Sequence, residues 1–191
     1  MIPIDEAKNA LRNGKIIVYP TDTVWGMGCD PFNQKAIDEL FKLKGKKLDG
    51  LSVMFDNKEG IYNSCEVNKK SRKIIDEFLP GPITLILKSK KKFANGVMRN
   101  GNIAVRIPMN STSMELAGEM PVVTTSANLH GEKIASGIEE AKEIFGSSCY
   151  YLEGEEPKGI ESTIIDLTGK EPEITRIGAL YSTILEGMFE S

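Results

Sequence analysis

The chain has 191 residues, with 40% hydrophobic residues, 27% charged residues and a formal net charge of −3. Such a composition is ordinary for a globular protein that buries its own core without disulfides or a structural metal. Three widely separated cysteines and a single histidine argue against a disulfide framework, a CxxC zinc site and any catalytic unit that needs two histidines. No apolar run reaches the ~20 residues of a membrane span, and no leader peptide opens the sequence. We therefore expect a cytoplasmic protein without a membrane partner.

The predicted elements alternate between helices and strands along the chain. The apolar spacing of residues 4–13 predicts a helix that stops at Gly14, and the β-branched run 15–19 predicts a buried strand that Pro20 ends. Asn33 is placed to cap the second helix. Further strands are predicted at 51–55, 83–88, 102–107, 121–125, 149–152, 162–167 and 173–177, and further helices at 68–78, 112–119, 137–145 and 180–189. We expect one α/β domain over residues 1–191, with a mixed parallel and antiparallel sheet of about seven strands and flanking helices.

Charge is unevenly distributed between the two parts of the chain. Residues 1–110 carry 19 Lys and Arg against 12 Asp and Glu, whereas residues 111–191 carry 5 against 15. This asymmetry indicates that one face meets a polyanion, either nucleotide phosphates or RNA. Two solvated surfaces of opposite sign explain it equally well.

Small polar residues and glycines stand where several predicted strands end, which is where open sheets tend to carry active sites. In 18–28 (VYPTDTVWGMG) a strand runs into two threonines around an aspartate and then a Gly-x-Gly pair. Hydroxyls both donate and accept hydrogen bonds, and glycines let the backbone approach a ligand. Segment 122–128 (VVTTSAN) is again a strand that ends in hydroxyl and amide groups, and segment 159–166 (GIESTIID) has polar residues at the start of the strand predicted at 162–167. The alternative for the first segment is a tight strand-loop connection, and for the second it is that Ser126 or Asn128 forms a turn or caps a helix.

Cations are placed at three further positions in the sequence. Four lysines within 42–47 either complement the dipole of the second helix or collect an anion such as triphosphate. Arg106 and Arg176 stand within aliphatic strands of a chain with 5 arginines and 19 lysines. We interpret Arg106 as a bidentate anion clamp, with a salt bridge to a neighbouring carboxylate as the competing explanation. Hydroxyls, amides and cations without a histidine base or cysteine nucleophile suit the alignment of phosphates and carboxylates.

Seven segments in this order resemble the YrdC-like family of threonylcarbamoyl-AMP synthases. They are YPTDTVWGMG (19–28), KGK (44–46), GPIT (81–84), VRIP (105–108), SANLHG (126–131), GIESTIID (159–166) and RIGA (176–179). The resemblance implies a twisted mixed sheet around a large basic cavity. It implies a nucleotidyltransferase that condenses L-threonine, bicarbonate and ATP to threonylcarbamoyl-AMP and pyrophosphate for tRNA modification. ATP is then a substrate, with Mg²⁺ bound mostly through phosphate oxygens and water. The partners are a separate tRNA threonylcarbamoyl transferase and, through the basic N-terminal half, tRNA itself.

The resemblance also assigns roles to individual residues. It implies no residue that would bind a metal directly. The residues implied to bind threonine are Thr23, Arg106, Ser126 and Ser162. The residues implied to bind ATP are Lys46, Asn102, Asn128, Ser136 and Arg176. The residues implied for catalysis are Lys44, Lys46, Ser126 and Asn128. Several positions depart from the family pattern, among them Lys47 and Thr125, each of which stands where the family has a proline. Trp25 replaces a tyrosine, His130 replaces the serine of SANxSG, and Lys46 stands where an arginine is usual. The lysine removes a bidentate phosphate contact. The chain also stops soon after Arg176, as expected of a short, single-domain form.

Two other functions remain open at this stage. An RNA-binding module without chemistry of its own is suggested by KKSRK (69–73) and KSKKK (88–92), although few aromatics and a negative net charge speak against it. A divergent relative that adenylates a different carbamate is the second. If the first assignment is right, Arg106→Ala is expected to lose threonine-dependent turnover and to keep its fold.

Overall fold

The computed structural model describes residues 1–180, and its fold is built around one nine-stranded sheet. The helices are α1 (Ile4–Arg12), α2 (Gln34–Lys44), α3 (Lys58–Ser64), α4 (Lys69–Phe78), α5 (Ser111–Leu116) and α6 (Ile138–Phe145). The strands are β1 (Ile17–Tyr19), β2 (Gly26–Gly28), β3 (Ser52–Met54), β4 (Ile83–Lys88), β5 (Asn102–Arg106), β6 (Val122–Ser126), β7 (Tyr150–Tyr151), β8 (Thr163–Asp166) and β9 (Glu173–Arg176). The helix predicted at 180–189 lies outside the described residues.

The strands follow the order β7-β1-β2-β6-β3-β5-β4-β8-β9. Pairs β1/β7, β3/β5 and β4/β8 are parallel, and the other five neighbouring pairs are antiparallel. The mixed α/β sheet predicted from the sequence is therefore confirmed, but it has nine strands and not about seven. The strand without any sequence signal is β2, because Gly26-Met27-Gly28 has only three residues and two of them are glycines. Helix α3 was not predicted either.

Strand register separates an apolar face of the sheet from a polar one. Val53 of β3 pairs with Val105 and Val123, and all three join the main core against α2, α3, α4 and α6. The neighbouring position, Ser52, pairs with Ala104 and Thr124 on the opposite face. One end of that face is covered by α1 and α5, which form a second apolar cluster with it. The uncovered remainder is the polar area where the cavity described below opens.

Helix ends and close strand packing are specified locally. Asn33 accepts a hydrogen bond from Ala36 N at the start of α2, as predicted, and α2 ends at Gly45 with φ of 69°. Gly28 is required for a different reason, since a Cβ there would lie 1.6 Å from the carbonyl oxygen of Val123. This glycine of the Gly-x-Gly pair therefore lets β2 approach its neighbouring strand, and not a ligand. No helix within residues 1–180 combines the length and the apolar character needed to span a bilayer.

Candidate functional site

A cavity of about 260 Å³ opens on the polar face of the sheet. Its hydroxyl groups come from five different parts of the fold, and they include Thr23, Ser52, Thr84, Ser126 and Ser162. Two arginines, Arg106 and Arg176, and two carboxylates, Asp49 and Glu161, also line it. The lining is therefore less basic than the resemblance implied, because the lysines of segment 42–47 lie outside it.

The four residues assigned to threonine line this one cavity. Thr23 follows β1, Arg106 ends β5, Ser126 ends β6 and Ser162 precedes β8. They are separated by up to 139 positions in sequence, so only the strand order brings them together. Of the residues assigned to ATP, Arg176 reaches the cavity as well.

Arg106 is held in place by a buried ion pair with Asp22. Its Nη2 donates to Asp22 Oδ1 at 2.6 Å and its Nη1 donates to Thr23 Oγ1 at 3.2 Å. The two charged side chains are only 7% and 6% exposed. Burial lowers the pKa of the Arg106 guanidinium, while the adjacent Asp22 carboxylate raises it. The salt bridge left open by the sequence thus exists. Three of the five guanidinium N–H groups have no protein partner, and of these the Nε–H is fully buried, which leaves one N–H on each terminal nitrogen for a ligand carboxylate.

The Thr21–Thr23 turn determines which hydrogen bond Thr23 can offer. Thr21 Oγ1 donates to Val24 O at 2.7 Å and lies 3.0 Å from Thr23 Oγ1. Thr21 Oγ1 also accepts from the backbone N–H groups of Thr23 and Val24, each at 3.2 Å, so its hydroxyl proton and both of its lone pairs already have partners. Thr23 Oγ1 accepts from Arg106, which leaves it one acceptor site toward the cavity.

Arg176 stands at another side of the cavity and is tied to Ser162. Its Nε donates to Ser162 O at 3.0 Å and its Nη2 to Ser162 Oγ at 3.1 Å, while Nη1 donates to Glu161 Oε1 at 2.9 Å. Ser162 Oγ is in turn 2.9 Å from Thr84 Oγ1. The β8/β9 register, with its irregularity at Ile164/Ile165, holds this arginine next to the serine.

Lys44 is a buried cation that supports the cavity wall from behind. The residue is 3% exposed, and its Nζ donates to Ser126 O and to Asn128 Oδ1, each at 2.7 Å. Ser126 Oγ donates to the same Asn128 oxygen at 2.7 Å, and Asn128 Nδ2 donates to Glu132 O. Burial lowers the pKa of Lys44 to about 8. Three of the four predicted catalytic residues therefore form one hydrogen-bonded group, in which Lys44 organises the segment that carries Ser126.

The other residues assigned to ATP lie away from the cavity lining. Lys46 is exposed, with its Nζ 3.0 Å from His130 Nε2. Asn102 is half-buried at the start of β5, opposite Lys88. Ser136 is exposed, and its N–H and hydroxyl donate to Glu140 Oε2 at 2.7 and 2.6 Å. Hydrogen bonds from Ser136 lower the pKa of Glu140. Asn128, held by Lys44, is also outside the lining.

Sequence reasoning overlooked several residues that the structure places at this site. Asp22 was noted only as part of the polar run, yet it is the ion-pair partner of Arg106. Thr84, within GPIT, contacts Ser162, and Glu161, within GIESTIID, contacts Arg176. Both quoted motifs contained the signal, but nothing in one sequence says which carboxylate or hydroxyl meets which partner.

Comparisons with known proteins give a consistent picture. The Sua5_yciO_yrdC family model, described as "Telomere recombination", matches residues 9–178. Threonylcarbamoyl-AMP synthase of Pyrococcus abyssi is 30% identical over 184 residues, which cover 91% of this chain and 53% of that protein. Threonylcarbamoyl-AMP synthase of Pseudoalteromonas translucida is 34% identical over 166 residues, which cover 82% of this chain and 87% of that protein.

Solved structures resemble the fold over nearly its whole length. P. abyssi Sua5 complexed with L-threonine superposes with a TM-score of 0.88 at 27% identity, covering 98% of this chain and 58% of that one. Escherichia coli YciO superposes with a TM-score of 0.85 at 25% identity, covering 97% and 92%. This chain thus spans only about half the length of the P. abyssi relative.

Proposed function

Because the chain belongs to the Sua5/YciO/YrdC family, we propose that it is a threonylcarbamoyl-AMP synthase, which joins L-threonine, bicarbonate and ATP and releases pyrophosphate. The observation that carries this proposal is the single cavity that collects Thr23, Arg106, Ser126 and Ser162. The names of the two curated relatives and the threonine bound to P. abyssi Sua5 support it. The cavity is of a size for an amino acid and its carbamate, and too small for a whole nucleotide as well.

Threonine is recognised by a cation and by hydrogen-bond acceptors. The remaining N–H groups of Arg106 bind the α-carboxylate, which an arginine fork matches in geometry and charge. Ser126 Oγ has used its proton on Asn128, and Thr23 Oγ1 accepts one hydrogen bond from Arg106 and keeps a second lone pair, so both oxygens can accept from the ligand. They suit the donors of the substrate, namely its hydroxyl and its N–H. A site built around a substrate hydroxyl discriminates strongly against analogues without one.

The reaction then requires alignment and charge stabilisation. The threonine amine and bicarbonate form a carbamate with loss of water. A carbamate oxygen attacks the α-phosphorus of ATP, and the bond from that phosphorus to the pyrophosphate oxygen breaks. Arg176, which is hydrogen-bonded to Ser162 and Glu161, is the cation that would bind the α-phosphate. Lys46, Asn102, Asn128 and Ser136 would bind the nucleotide beyond the cavity, with Lys44 holding Ser126 and Asn128 in position.

A resident metal is not part of this proposal. Within residues 1–180 no group of three or more histidine, cysteine, aspartate or glutamate side chains is arranged to hold a metal ion. Mg²⁺ would instead bind together with ATP, coordinated by its phosphate oxygens and by several water molecules, as is common for this ion.

The wider setting is proposed on the same basis. We place the chain, as one domain over residues 1–191, in the cytoplasm as a nucleotidyltransferase, with its adenylate consumed by a separate tRNA threonylcarbamoyl transferase. Direct tRNA contact stays a prediction. Some lysines of the basic segments already have partners, since Lys70 pairs with Glu171 and Lys88 pairs with Glu66.

The deciding experiment is pyrophosphate release from Mg–ATP, measured with threonine, with serine and without amino acid, each with and without bicarbonate. Release that needs both threonine and bicarbonate is the expected result. Release with another amino acid only would identify the divergent relative. Absence of both release and ATP binding, together with salt-sensitive tRNA binding, would favour the RNA-binding module.

A further inference from the structure

Lys46 and His130 form an exposed pair at the edge of the site. We propose that the two side chains act together as a two-donor contact for the polyphosphate of the nucleotide, with His130 a phosphate-binding residue in its own right. This inference rests on the proposed function, since it concerns ATP and the pyrophosphate released from it.

Two hydrogen bonds join the segments that carry the pair. The backbone N–H of His130 donates to Lys44 O at 3.0 Å, and Lys46 Nζ lies 3.0 Å from His130 Nε2. Lys44 is the last residue of α2, and the left-handed Gly45 turns the chain so that Lys46 comes next to the imidazole. The geometry of the pair is therefore set by a helix end and not by two free side chains.

Both segments lead directly into the cavity. Residues 48–52 follow Lys46 and line it, and residues 124–126 precede His130 and line it as well. Buried Lys44 bonds to Ser126 O and so fixes the two segments to one another. A nucleotide whose α-phosphate meets the cavity can extend its outer phosphates along these segments toward the pair.

The charges around the pair favour an anion. Segment 42–47 carries four lysines, and the residues after His130 add Lys133 and one carboxylate, Glu132. Lys42 is paired with Glu39, and Lys44 is buried. Among residues 1–180, Lys46 has no carboxylate within ion-pair distance, and its neighbour is an imidazole. It is thus a cation whose charge no carboxylate offsets.

The chemistry of the two groups explains why both are needed. Lysine is a point charge on a flexible stem, whereas arginine presents several N–H groups in a rigid fork. The ammonium of Lys46 gives one N–H to Nε2 and keeps two for phosphate oxygens. Because Nε2 accepts from Lys46, the neutral imidazole carries its proton on Nδ1, and that N–H can donate to a phosphate oxygen. Together the two side chains supply the second donor that a lone lysine lacks.

The test uses His130→Ala, Lys46→Arg and the double variant, with Mg–ATP and inorganic pyrophosphate as calorimetric probes. His130→Ala is expected to raise the Kd of both probes about tenfold, because one charge-assisted hydrogen bond to the phosphate is lost. In the Lys46→Arg background the same substitution should change the Kd less than threefold, because the guanidinium brings its own second donor. The KM for ATP should follow the Kd, with the Kd of threonine unchanged.

Controls separate this effect from general electrostatics and from loop packing. Lys42→Ala removes a positive charge from the same helix end and should change the Kd of pyrophosphate less than twofold. His130→Ser repeats the test with a different small side chain. Unchanged ATP and pyrophosphate binding in both His130 variants, or an equal loss in the Lys46→Arg background, overturns the inference. If the wild type still releases pyrophosphate with threonine, the proposed function stands without this inference. If the wild type binds neither ATP nor pyrophosphate, the proposed function and the inference are both refuted.

Discussion

Replacing Arg106 tests the threonine clamp and the buried ion pair together. The sequence predicted that Arg106→Ala would lose activity and keep its fold. The structure adds Asp22, which is 2.6 Å from the guanidinium and whose side chain is only 6% exposed. Removing one partner of such a pair leaves an uncompensated buried charge and costs about 3–5 kcal/mol. Since domains of this kind are stable by about 5–15 kcal/mol, the variant should be measurably destabilised.

The double variant Asp22→Ala/Arg106→Ala separates the two effects. Without either charge, no orphaned carboxylate remains, so its free energy of unfolding should exceed that of Arg106→Ala by about 1–3 kcal/mol. Threonine binding should be lost equally in both, because the carboxylate clamp is absent from both. Truncating a charge-assisted contact costs about 2–5 kcal/mol, or roughly 30- to 4,000-fold in Kd.

Two measurements decide the matter. Urea unfolding is followed by the fluorescence of Trp25, the only tryptophan in the chain and a buried core residue. Threonine binding is measured by calorimetry in urea-free buffer, where each variant is folded. Threonine binding of near wild-type affinity by Arg106→Ala refutes the clamp. A double variant no more stable than Arg106→Ala refutes the account of the buried pair.

Three other substitutions have outcomes that the structure specifies. Burial lowers the pKa of Lys44 from 10.5 to about 8, so between pH 8 and 10.5 the unfolded chain binds more protons than the folded one. The unfolding free energy of the wild type, measured by urea melts, should therefore rise over this pH range relative to that of Lys44→Met. The same pH dependence in both proteins would contradict this. Gly28→Ala places a Cβ 1.6 Å from Val123 O and should cost more than about 2 kcal/mol in urea melts. Gly137→Ala, where the space is open, is its control at about 1 kcal/mol or less. Arg176→Ala breaks a half-exposed ion pair with Glu161 and two hydrogen bonds to Ser162, so the free energy of unfolding should fall by about 1–3 kcal/mol. The KM for ATP should rise at least tenfold, and an unchanged KM would remove Arg176 from the nucleotide site.

Local sequence signals were sufficient for most of the individual elements. Asn33 and Gly45 delimit α2 through a side-chain cap and a left-handed turn, both of which depend on residues within a few positions. The β-branched run before Pro20 indicates β1, because β-branched side chains pack well on a pleated sheet. The failures were short elements: β2 has three residues, and α3 has seven. Their stability comes from the neighbours they pack against, which the local sequence does not contain.

The order of polar motifs along the chain predicted a set of site residues, of which five line the cavity, but it did not say how they meet. Thr23, Arg106, Ser126 and Ser162 were assigned from their motifs, and the strand order β2-β6-β3-β5-β4-β8 brings them to one cavity. Only the tertiary structure pairs Arg106 with Asp22, buries Lys44 behind Ser126 and puts His130 beside Lys46. These contacts join residues 82 to 84 positions apart in sequence. Distances and desolvation decide whether a charge binds a ligand or a neighbour, and both are properties of the packed fold.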